Sequence, residues 1–223
     1  MKILCVADHR SPLVYSTGIK ERFKDVDLIL GAGDLPMDYY GYIVSSLNKK
    51  LFFVFGNHNL KHYNRFKGTN TPYAQDHNPL SHHSFGSIFV SGKVIKEKKS
   101  GLIIAGMGGS IDYNHGENQY TDIQMYLKLF RLIPRLIWNR IFYGRYLDIF
   151  LTHSPPRGLN DREDPCHKGF KSFLWFMDKF KPDFLIHGHI HLYDRNEKRD
   201  IQYKNTKIIN VYDYYLLNLE NNK

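Results

Sequence analysis

The sequence predicts an α/β fold, and two observations support that prediction. Six short apolar runs of strand length recur along the chain, each continuous enough to be buried on both faces of a sheet. Segments with helical periodicity separate several of these runs, as expected for parallel strands joined by helical crossovers. The 223 residues contain no repeat of fixed period and no low-complexity linker, so we expect one domain over residues 1–223.

The predicted elements follow one another along the chain. The strands are ILCVA (3–7), DLILGAG (27–33), LFFVFG (51–56), LIIAG (102–106), DIFLT (148–152) and DFLIHG (183–188). The predicted helices lie over 19–24, 39–48 and 170–180, where apolar residues have helical spacing. Near the end, IIN at 208–210 and YYLLNLE at 214–220 indicate antiparallel edge or closing strands.

Charge and cysteine usage narrow the class of protein. Lys and Arg number 31 against 22 Asp and Glu, and this positive balance favours partners that carry phosphate. Cys5 lies in an apolar run and Cys166 in a polar loop, so we expect two free thiols rather than a disulfide framework or a thiolate zinc site. The start, MKILCVAD, is typical of a buried strand rather than a signal peptide, and no apolar run is long enough to span a bilayer. We therefore expect a soluble, cytoplasmic protein.

Two stretches do not fit the alternation of short strands and helices. Residues 57–84 form a polar segment longer than an ordinary connection, and we expect it to border the functional site. Residues 120–146 are aromatic and basic, with helical spacing of the apolar residues Tyr126, Leu129, Phe130, Ile133, Leu136 and Ile137. Pro134 should kink or divide this helix. We favour packing of its apolar side on the sheet, with contact to a membrane surface or a partner as the alternative.

Residue types that bind metal ions follow most of the predicted strands. They are Asp8, Asp34, Asn57, His58, His153, His189 and His191. Because sites in open α/β sheets assemble at the carboxyl ends of strands, we expect these side chains to point at one place. Oxygen and imidazole donors suit manganese, iron or zinc, and a carboxylate such as Asp34 can bridge two such ions. Each motif alone also has a structural explanation as a turn or a strand face, but their order and placement together favour a metal site.

The motifs resemble those of the calcineurin-like metallophosphoesterases, whose pattern runs D-x-H, G-D, G-N-H followed by an acidic residue, a lone His, and G-H-x-H. The matching positions are Asp8-His9-Arg10, Gly33-Asp34, Gly56-Asn57-His58-Asn59, His153 and Gly188-His189-Ile190-His191. The resemblance covers most of the chain and implies a compact bacterial-type member with a divergent first metal motif. It also implies a four-layer αββα sandwich, in which two central mixed β-sheets are flanked by helices.

The resemblance further implies a division of roles and one or two divalent ions as cofactors. Asp8 and His191 would hold a first ion and Asp34 would bridge, as the family pattern has it. The second ion would be held by Asn57, His153 and His189. His58 would assist at the leaving oxygen or at the phosphoryl group.

Two positions depart from the family pattern. Arg10 stands where the family has the His of D-x-H, and a guanidinium cannot be a metal ligand. Arg10 is instead a candidate to pair with Asp8 or to bind a substrate phosphate, and His9 could supply the missing donor through a turn. Asn59 replaces the acidic residue after G-N-H, which weakens the support expected for His58. Both changes point to a mononuclear or weakly dinuclear centre.

The leading functional hypothesis is metal-dependent hydrolysis of a phosphate ester by metal-activated water, with a diester favoured over a monoester. Asp34 is followed by LPMDYYG rather than by the D-R-G pattern of protein phosphatases, so a phosphoprotein substrate is disfavoured. Small phosphate esters, nucleotides among them, are the expected substrates. Arg157, in the loop after His153, is either a phosphate contact or a solvated loop charge.

Two other classes of function compete with hydrolysis. A scaffold that keeps the fold but has weakened turnover would act through protein contacts, and Arg10 and Asn59 favour it. Stable nucleic-acid binding is not expected, because Lys and Arg are spread along the chain rather than gathered in a motif. The oligomeric state does not follow from the sequence.

Overall fold

The computed structural model describes residues 1–66, 85–194 and 197–219. Its strands are β1 (Lys2–Ala7), β2 (Leu28–Gly31), β3 (Leu51–Phe53), β4 (Ser87–Phe89), β5 (Lys93–Lys96), β6 (Ile103–Met107), β7 (Ser110–Ile111), β8 (Gln119–Tyr120), β9 (Ile149–Thr152), β10 (Phe184–His187), β11 (Asp200–Tyr203), β12 (Thr206–Asn210) and β13 (Asp213–Asn218). Its α-helices are α1 (Ile19–Arg22), α2 (Met37–Leu47), α3 (Asp122–Phe130), α4 (Ile133–Tyr143) and α5 (Lys171–Phe180). A 3-10 helix spans Leu60–Arg65.

Two mixed sheets form the centre of the molecule. The first has the strand order β13-β1-β2-β3-β4, and β13 is its antiparallel edge. The second has the order β11-β12-β10-β9-β6-β5, with four parallel strands between antiparallel edges. Both sheets therefore present the carboxyl ends of several parallel strands, which is where sites form in this fold class.

Alternating side chains of β1 bury both faces of the first sheet. Ile3 and Cys5 point to the apolar layer between the two sheets, whereas Leu4 and Val6 pack with α1 and α2 on the outer side. Phe150 of the second sheet likewise points outward, into a third apolar cluster with α3, α4 and α5. This layering confirms the αββα sandwich. Because the strands are buried on both faces, their sequences are continuous apolar runs.

Most of the predicted elements are present. All six apolar runs contain a strand, and helices lie over the three predicted crossovers. The strand at 214–220 is confirmed as the antiparallel edge β13. The strand at 208–210 is antiparallel to β11 as expected, but it also pairs in parallel with β10 and lies inside its sheet, so its prediction as an edge was wrong. Cys5 and Cys166 are both free.

The segment 120–146 is divided into two helices, as Pro134 predicts. The helix α3 begins at a capping box in which Thr121 and Gln124 bind each other's backbone N–H groups. Pro134 lies in the first turn of α4, where a missing N–H group costs little. The stripe that packs on the sheet is Met125, Leu129, Leu132 and Leu136. Packing on the sheet is therefore present, but Phe130 and Ile137, which the helical spacing places on the apolar side, are about half exposed.

No helix among the described residues is long and apolar enough to cross a membrane. Residues 57–84 are the segment that we expected to border the site. The structure describes this segment only as far as residue 66. Residues 67–84, which include His77, His82 and His83, lie outside the described residues.

Candidate metal centre

The ends of five parallel strands carry the polar side chains of the candidate site. Asp8 and Asp34 follow β1 and β2, and Asn57 comes shortly after β3 in the first sheet. His153 and His189 follow β9 and β10 in the second sheet. The chain turns sharply at three of these positions, because Asp8, Asp34 and His189 have left-handed φ angles of 63°, 58° and 68°. Such backbone conformations cost energy in residues other than glycine and are found preferentially at functional sites.

Four of these side chains meet in one buried cluster. A ligand atom of Asp34, one of His153 and one of His189 all lie within 4.8 Å of one another. The Nε2 atom of His153 lies 3.3 Å from Oδ2 of Asp34 and 3.2 Å from Oδ1 of Asn57. All four residues are buried, and the rings of His153 and His189 lie 4.8 Å apart. The donor atoms of the four side chains are therefore close enough together to share one ion.

Hydrogen bonds away from the cluster orient both imidazoles. Nδ1 of His153 donates to the carbonyl oxygen of Ala32 at 2.8 Å, which leaves Nε2 facing the cluster. Nε2 of His189 donates to the carbonyl oxygen of Cys166 at 2.7 Å, which leaves Nδ1 on the other side of the ring. Outward N–H bonds of this kind to backbone carbonyls are typical of metal-binding histidines, since they fix the tautomer and the ring orientation.

The charged groups of the cluster shift one another's pKa values. Burial disfavours the ionised form of Asp34, but the charge and hydrogen bond of His153 outweigh burial and lower its pKa to about 2. Burial also disfavours protonated His153, yet the charges of Asp34 and Asp8 raise its pKa to about 9. Burial and the charge of His153 lower the pKa of His189 to about 3. The buried carboxyl groups of Asp8 and Asp34 thus share His153 as a source of opposite charge, and a divalent ion at this place would compensate them more fully.

Three glycines bring the backbone into contact with the cluster. A Cβ atom on Gly56 would overlap Oδ1 of Asp34 and lie 2.5 Å from Nε2 of His153. One on Gly33 would lie 2.5 Å from Nδ1 of His153, which is too close for any real contact. A Cβ atom on Gly188 would likewise lie 2.5 Å from Oδ2 of Asp8. A larger residue at any of these positions would push the donor atoms apart.

Asp8 supports the cluster from its edge. Its two carboxylate oxygens accept the backbone N–H of His189 at 3.0 and 2.9 Å. Burial raises the pKa of Asp8 to about 7, although the nearby charge of His153 opposes the rise. A carboxyl group that is so costly to ionise without a cation fits a position beside a metal ion.

The other predicted site residues lie around the cluster rather than in it. His191 shares a 3.2 Å hydrogen bond with the hydroxyl of Tyr193, and its ring centroid lies 5.0 Å from that of Tyr212. His58 has an exposed side chain, and its backbone N–H donates to Oδ1 of Asp34 at 2.8 Å. The structure therefore places His58 at the exposed rim of the cluster, with its backbone bonded to Asp34.

The structure gives both departures from the family pattern a local partner. The Arg10 guanidinium binds both oxygens of Asp38 at 3.0 and 2.8 Å, so its suggested pairing with Asp8 is not formed. Nδ1 of His9 lies 2.9 Å from Oδ1 of Asp213, which draws this ring toward the edge strand β13. The Asn59 side chain donates to the backbone carbonyl of Asp34 at 2.8 Å. An amide therefore steadies the turn where the family has a carboxylate.

Arg157, the second predicted phosphate contact, is paired with acidic side chains. Its guanidinium binds Asp161 at 2.8 Å and Glu163 at 2.7 Å within the same loop. The ion pairs support the interpretation as a loop charge.

A polar network that the sequence analysis missed supports the Gly56-Asn57 turn. The Asn57 amide donates to the hydroxyl of Tyr113 at 3.3 Å, which directs the amide oxygen toward His153. The side chain of Asn118 donates to the carbonyl oxygen of Gly56 at 2.6 Å. Its own oxygen accepts the hydroxyl groups of Tyr63 and Tyr120. These residues belong to no sequence motif, because they come close to the site only in the folded protein.

The donor set fits a divalent ion. One carboxylate, one amide oxygen and two neutral imidazole nitrogens form a mixed oxygen and nitrogen set without thiolate, which suits manganese, iron or zinc. The ligand side chains are buried, their outward atoms are hydrogen-bonded, and glycines provide the space between them. Asp34, Asn57, His153 and His189 are thus the residues that could hold an ion.

The fold and this donor set define a metal-dependent phosphoesterase class, and sequence comparison agrees. A family model described as calcineurin-like phosphoesterase matches residues 1–193. The chain belongs to the calcineurin-like phosphoesterase family. None of the curated proteins matches the sequence.

One solved structure shares the fold at low identity, and two others align with lower TM-scores. TT1561 of Thermus thermophilus superposes with a TM-score of 0.62 at 14% identity, over 95% of this chain and 89% of that chain. Wild-type Vps29 complexed with Zn²⁺ from Entamoeba histolytica has a TM-score of 0.42 at 14% identity, over 100% and 88%. A protein described as a novel archaeal phosphodiesterase has a TM-score of 0.39 at 12% identity, over 96% and 84%.

Proposed function

We propose that the protein hydrolyses a phosphate ester, a diester in preference to a monoester, with the help of one tightly held divalent ion. The observation that carries the proposal is the buried meeting of Asp34, Asn57, His153 and His189 at the carboxyl ends of strands from both sheets. Membership of a phosphoesterase family supports the reaction type.

The residues have separable roles in this proposal. Asp34, Asn57, His153 and His189 hold the ion, and Asp8 and His191 stand beside the position of the other ion, the first of the family pattern, which binds more weakly. A bound divalent ion lowers the pKa of water and offsets negative charge on phosphoryl oxygens. His58 lies at the rim, where its imidazole can donate a proton or hydrogen bond to the leaving oxygen.

The charges around the cluster favour a diester. The groups that shift the pKa of Asp8 and Asp34 are histidines, backbone N–H groups and the other carboxyl, with no described Lys or Arg among them. Arg10 and Arg157 are already paired with carboxylates. A monoester dianion needs more compensating positive charge than a diester monoanion does. Near two carboxylates this shortage weakens binding of the monoester.

The test compares two aryl phosphates on protein that has been stripped with a chelator and reloaded with manganese, iron or zinc. We expect metal-dependent turnover that is faster on bis(4-nitrophenyl) phosphate than on 4-nitrophenyl phosphate. Turnover that survives complete removal of metal would contradict the proposal. Faster turnover of the monoester would contradict the diester preference alone.

Arg10 limits the first metal position, and its replacement by histidine should restore a donor beside Asp8. Arg10→His is expected to raise bound manganese from about one ion per chain toward two and to raise turnover of simple diesters. Arg10→Ala should leave the metal content unchanged. Asp38→Asn is the matched control, because it breaks the same ion pair without adding an imidazole. Two ions at full occupancy in the wild-type protein would show that the first position is not limited by Arg10.

A further inference from the structure

The helices α3 and α4 carry most of the large apolar side chains that are exposed among the described residues. Of eleven large apolar side chains that are exposed among the described residues, seven lie on these two helices. They are Ile123, Leu127, Phe130, Ile137, Trp138, Ile141 and Phe142. We call these seven residues the outer face. Scattered exposed apolar residues need no explanation, but a concentration of this kind marks a binding surface.

The outer face is distinct from the stripe that packs on the sheet. Ile123 and Leu127 lie one turn apart on α3, and Ile137 and Ile141 do the same on α4, so each helix has an exposed apolar row. Trp138 and Phe142 form a second exposed row beside it on α4. The exposed fractions reach 73% at Ile123 and 71% at Ile141. Both helices are therefore apolar on two sides, and only one side is needed for the core.

Positive charge accompanies the outer face. Residues 120–146 contain Lys128, Arg131, Arg135, Arg140 and Arg145 against the single acidic residue Asp122. Arg131 and Arg135 are exposed, and neither forms an ion pair with another described residue. Arg140 is also exposed, donates to the backbone carbonyl of Gly144 and lies over the ring of Tyr146. Arg145 is ion-paired with Asp148, so the cations available to an anionic partner are chiefly Arg131 and Arg135.

We propose that the outer face binds the surface of an anionic lipid bilayer, with α3 and α4 lying in the plane of the interface. Apolar side chains enter the acyl boundary in such an arrangement, and Lys and Arg meet the anionic headgroups. The rings of Trp138 and Phe142 are in contact, with centroids 4.1 Å apart, and provide the aromatic element that is enriched at bilayer interfaces.

Charge complementarity selects the bilayer over a second copy of the chain. A symmetric dimer through this face would set the arginines of one chain close to those of the other, and like charges across an interface cost binding energy. An anionic bilayer attracts the same charges. The formal net charge of +9 for the whole chain adds to this attraction.

Vesicle flotation tests the proposal on the full chain. Vesicles of phosphatidylcholine and phosphatidylglycerol in equal parts should carry the protein to the top of the gradient, whereas pure phosphatidylcholine should not. Arg131→Glu/Arg135→Glu should weaken binding by roughly 30-fold or more, from the loss of two attractive contacts. Lys98→Glu/Lys99→Glu, on the turn between β5 and β6, makes the same charge change elsewhere and should have little effect.

An apolar variant and a fluorescence measurement separate burial in lipid from charge attraction alone. Ile123→Ser/Ile141→Ser should lose vesicle binding, whereas Leu13→Ser, at another exposed apolar position, should retain it. The chain has two tryptophans, and Trp175 packs against Tyr126 and Phe130. In a Trp175→Phe variant, the remaining Trp138 emission should shift to shorter wavelength when anionic vesicles are added.

Three outcomes would overturn the proposal. The first is equal flotation with neutral and anionic vesicles, or none with either. The second is vesicle binding that the Ile123→Ser/Ile141→Ser variant retains in full. The third is a wild-type dimer in light scattering that this variant converts to monomer without any binding to vesicles, which would assign the outer face to a second copy.

Discussion

Replacing His153 or His189 with glutamine is expected to remove bound metal and activity together. A ligand atom of each imidazole lies in the cluster and a backbone carbonyl accepts its other N–H, so each replacement removes a buried candidate ligand. Because disturbance of outer hydrogen bonds alone costs roughly 10- to 100-fold in metal affinity, we expect losses above about 100-fold for a ligand. Calorimetric titration with manganese and turnover of an aryl diester measure the two effects.

His58 should behave differently. His58→Ala is expected to lower turnover by about 100-fold or more while metal content stays near that of the wild type. His115→Gln is a control of the same residue type, because its side chain is 94% exposed and hydrogen-bonds only locally with Asp112. Equal loss of metal in all three variants at positions 58, 153 and 189 would make His58 a ligand and contradict its assignment to the rim.

A single added methyl group at Gly56 should also abolish the site. In Gly56→Ala the Cβ atom would overlap Asp34 and lie 2.5 Å from two ring atoms of His153, so both donors must move. Geometric displacement of two ligands should cost more than about 100-fold in metal affinity and in turnover. The measurement is metal content after dialysis, together with turnover in excess manganese.

Gly18→Ala is the matched control for Gly56→Ala. A Cβ atom there would meet its nearest neighbours at 3.9 Å, which is ordinary contact. Circular dichroism should show both variants folded. Normal metal content in folded Gly56→Ala would mean that Asp34 and His153 do not act as joint ligands.

The α/β class and most of the strands were predictable from the sequence, because strands buried on both faces appear as continuous apolar runs, whereas the order of the layers came from the family resemblance. The run at 208–210 shows that an apolar pattern does not predict the neighbours of a strand. Its apolar pattern does not reveal that β12 lies between β11 and β10, since strand neighbours are decided by the path of the whole chain. Short strands such as β7 and β8 carry too few residues for a periodic signal.

The residues of the site were predictable as motifs, but their supporting contacts were not. The family pattern led to Asp34, Asn57, His153 and His189, and the structure brings these four together. The carbonyl of Cys166, which orients His189, and the hydroxyl of Tyr113 belong to segments that touch the site only after folding. Periodicity likewise identified an amphipathic segment at 120–146 without deciding which apolar rows are covered.

Anomalous X-ray scattering from crystals grown with manganese tests the central claim most directly. We predict one strong peak at about 2.0–2.3 Å from donor atoms of Asp34, Asn57, His153 and His189, with a weak or absent second peak beside Asp8. A strong peak at another place, or none at saturating manganese, would contradict a metal centre formed by these four residues.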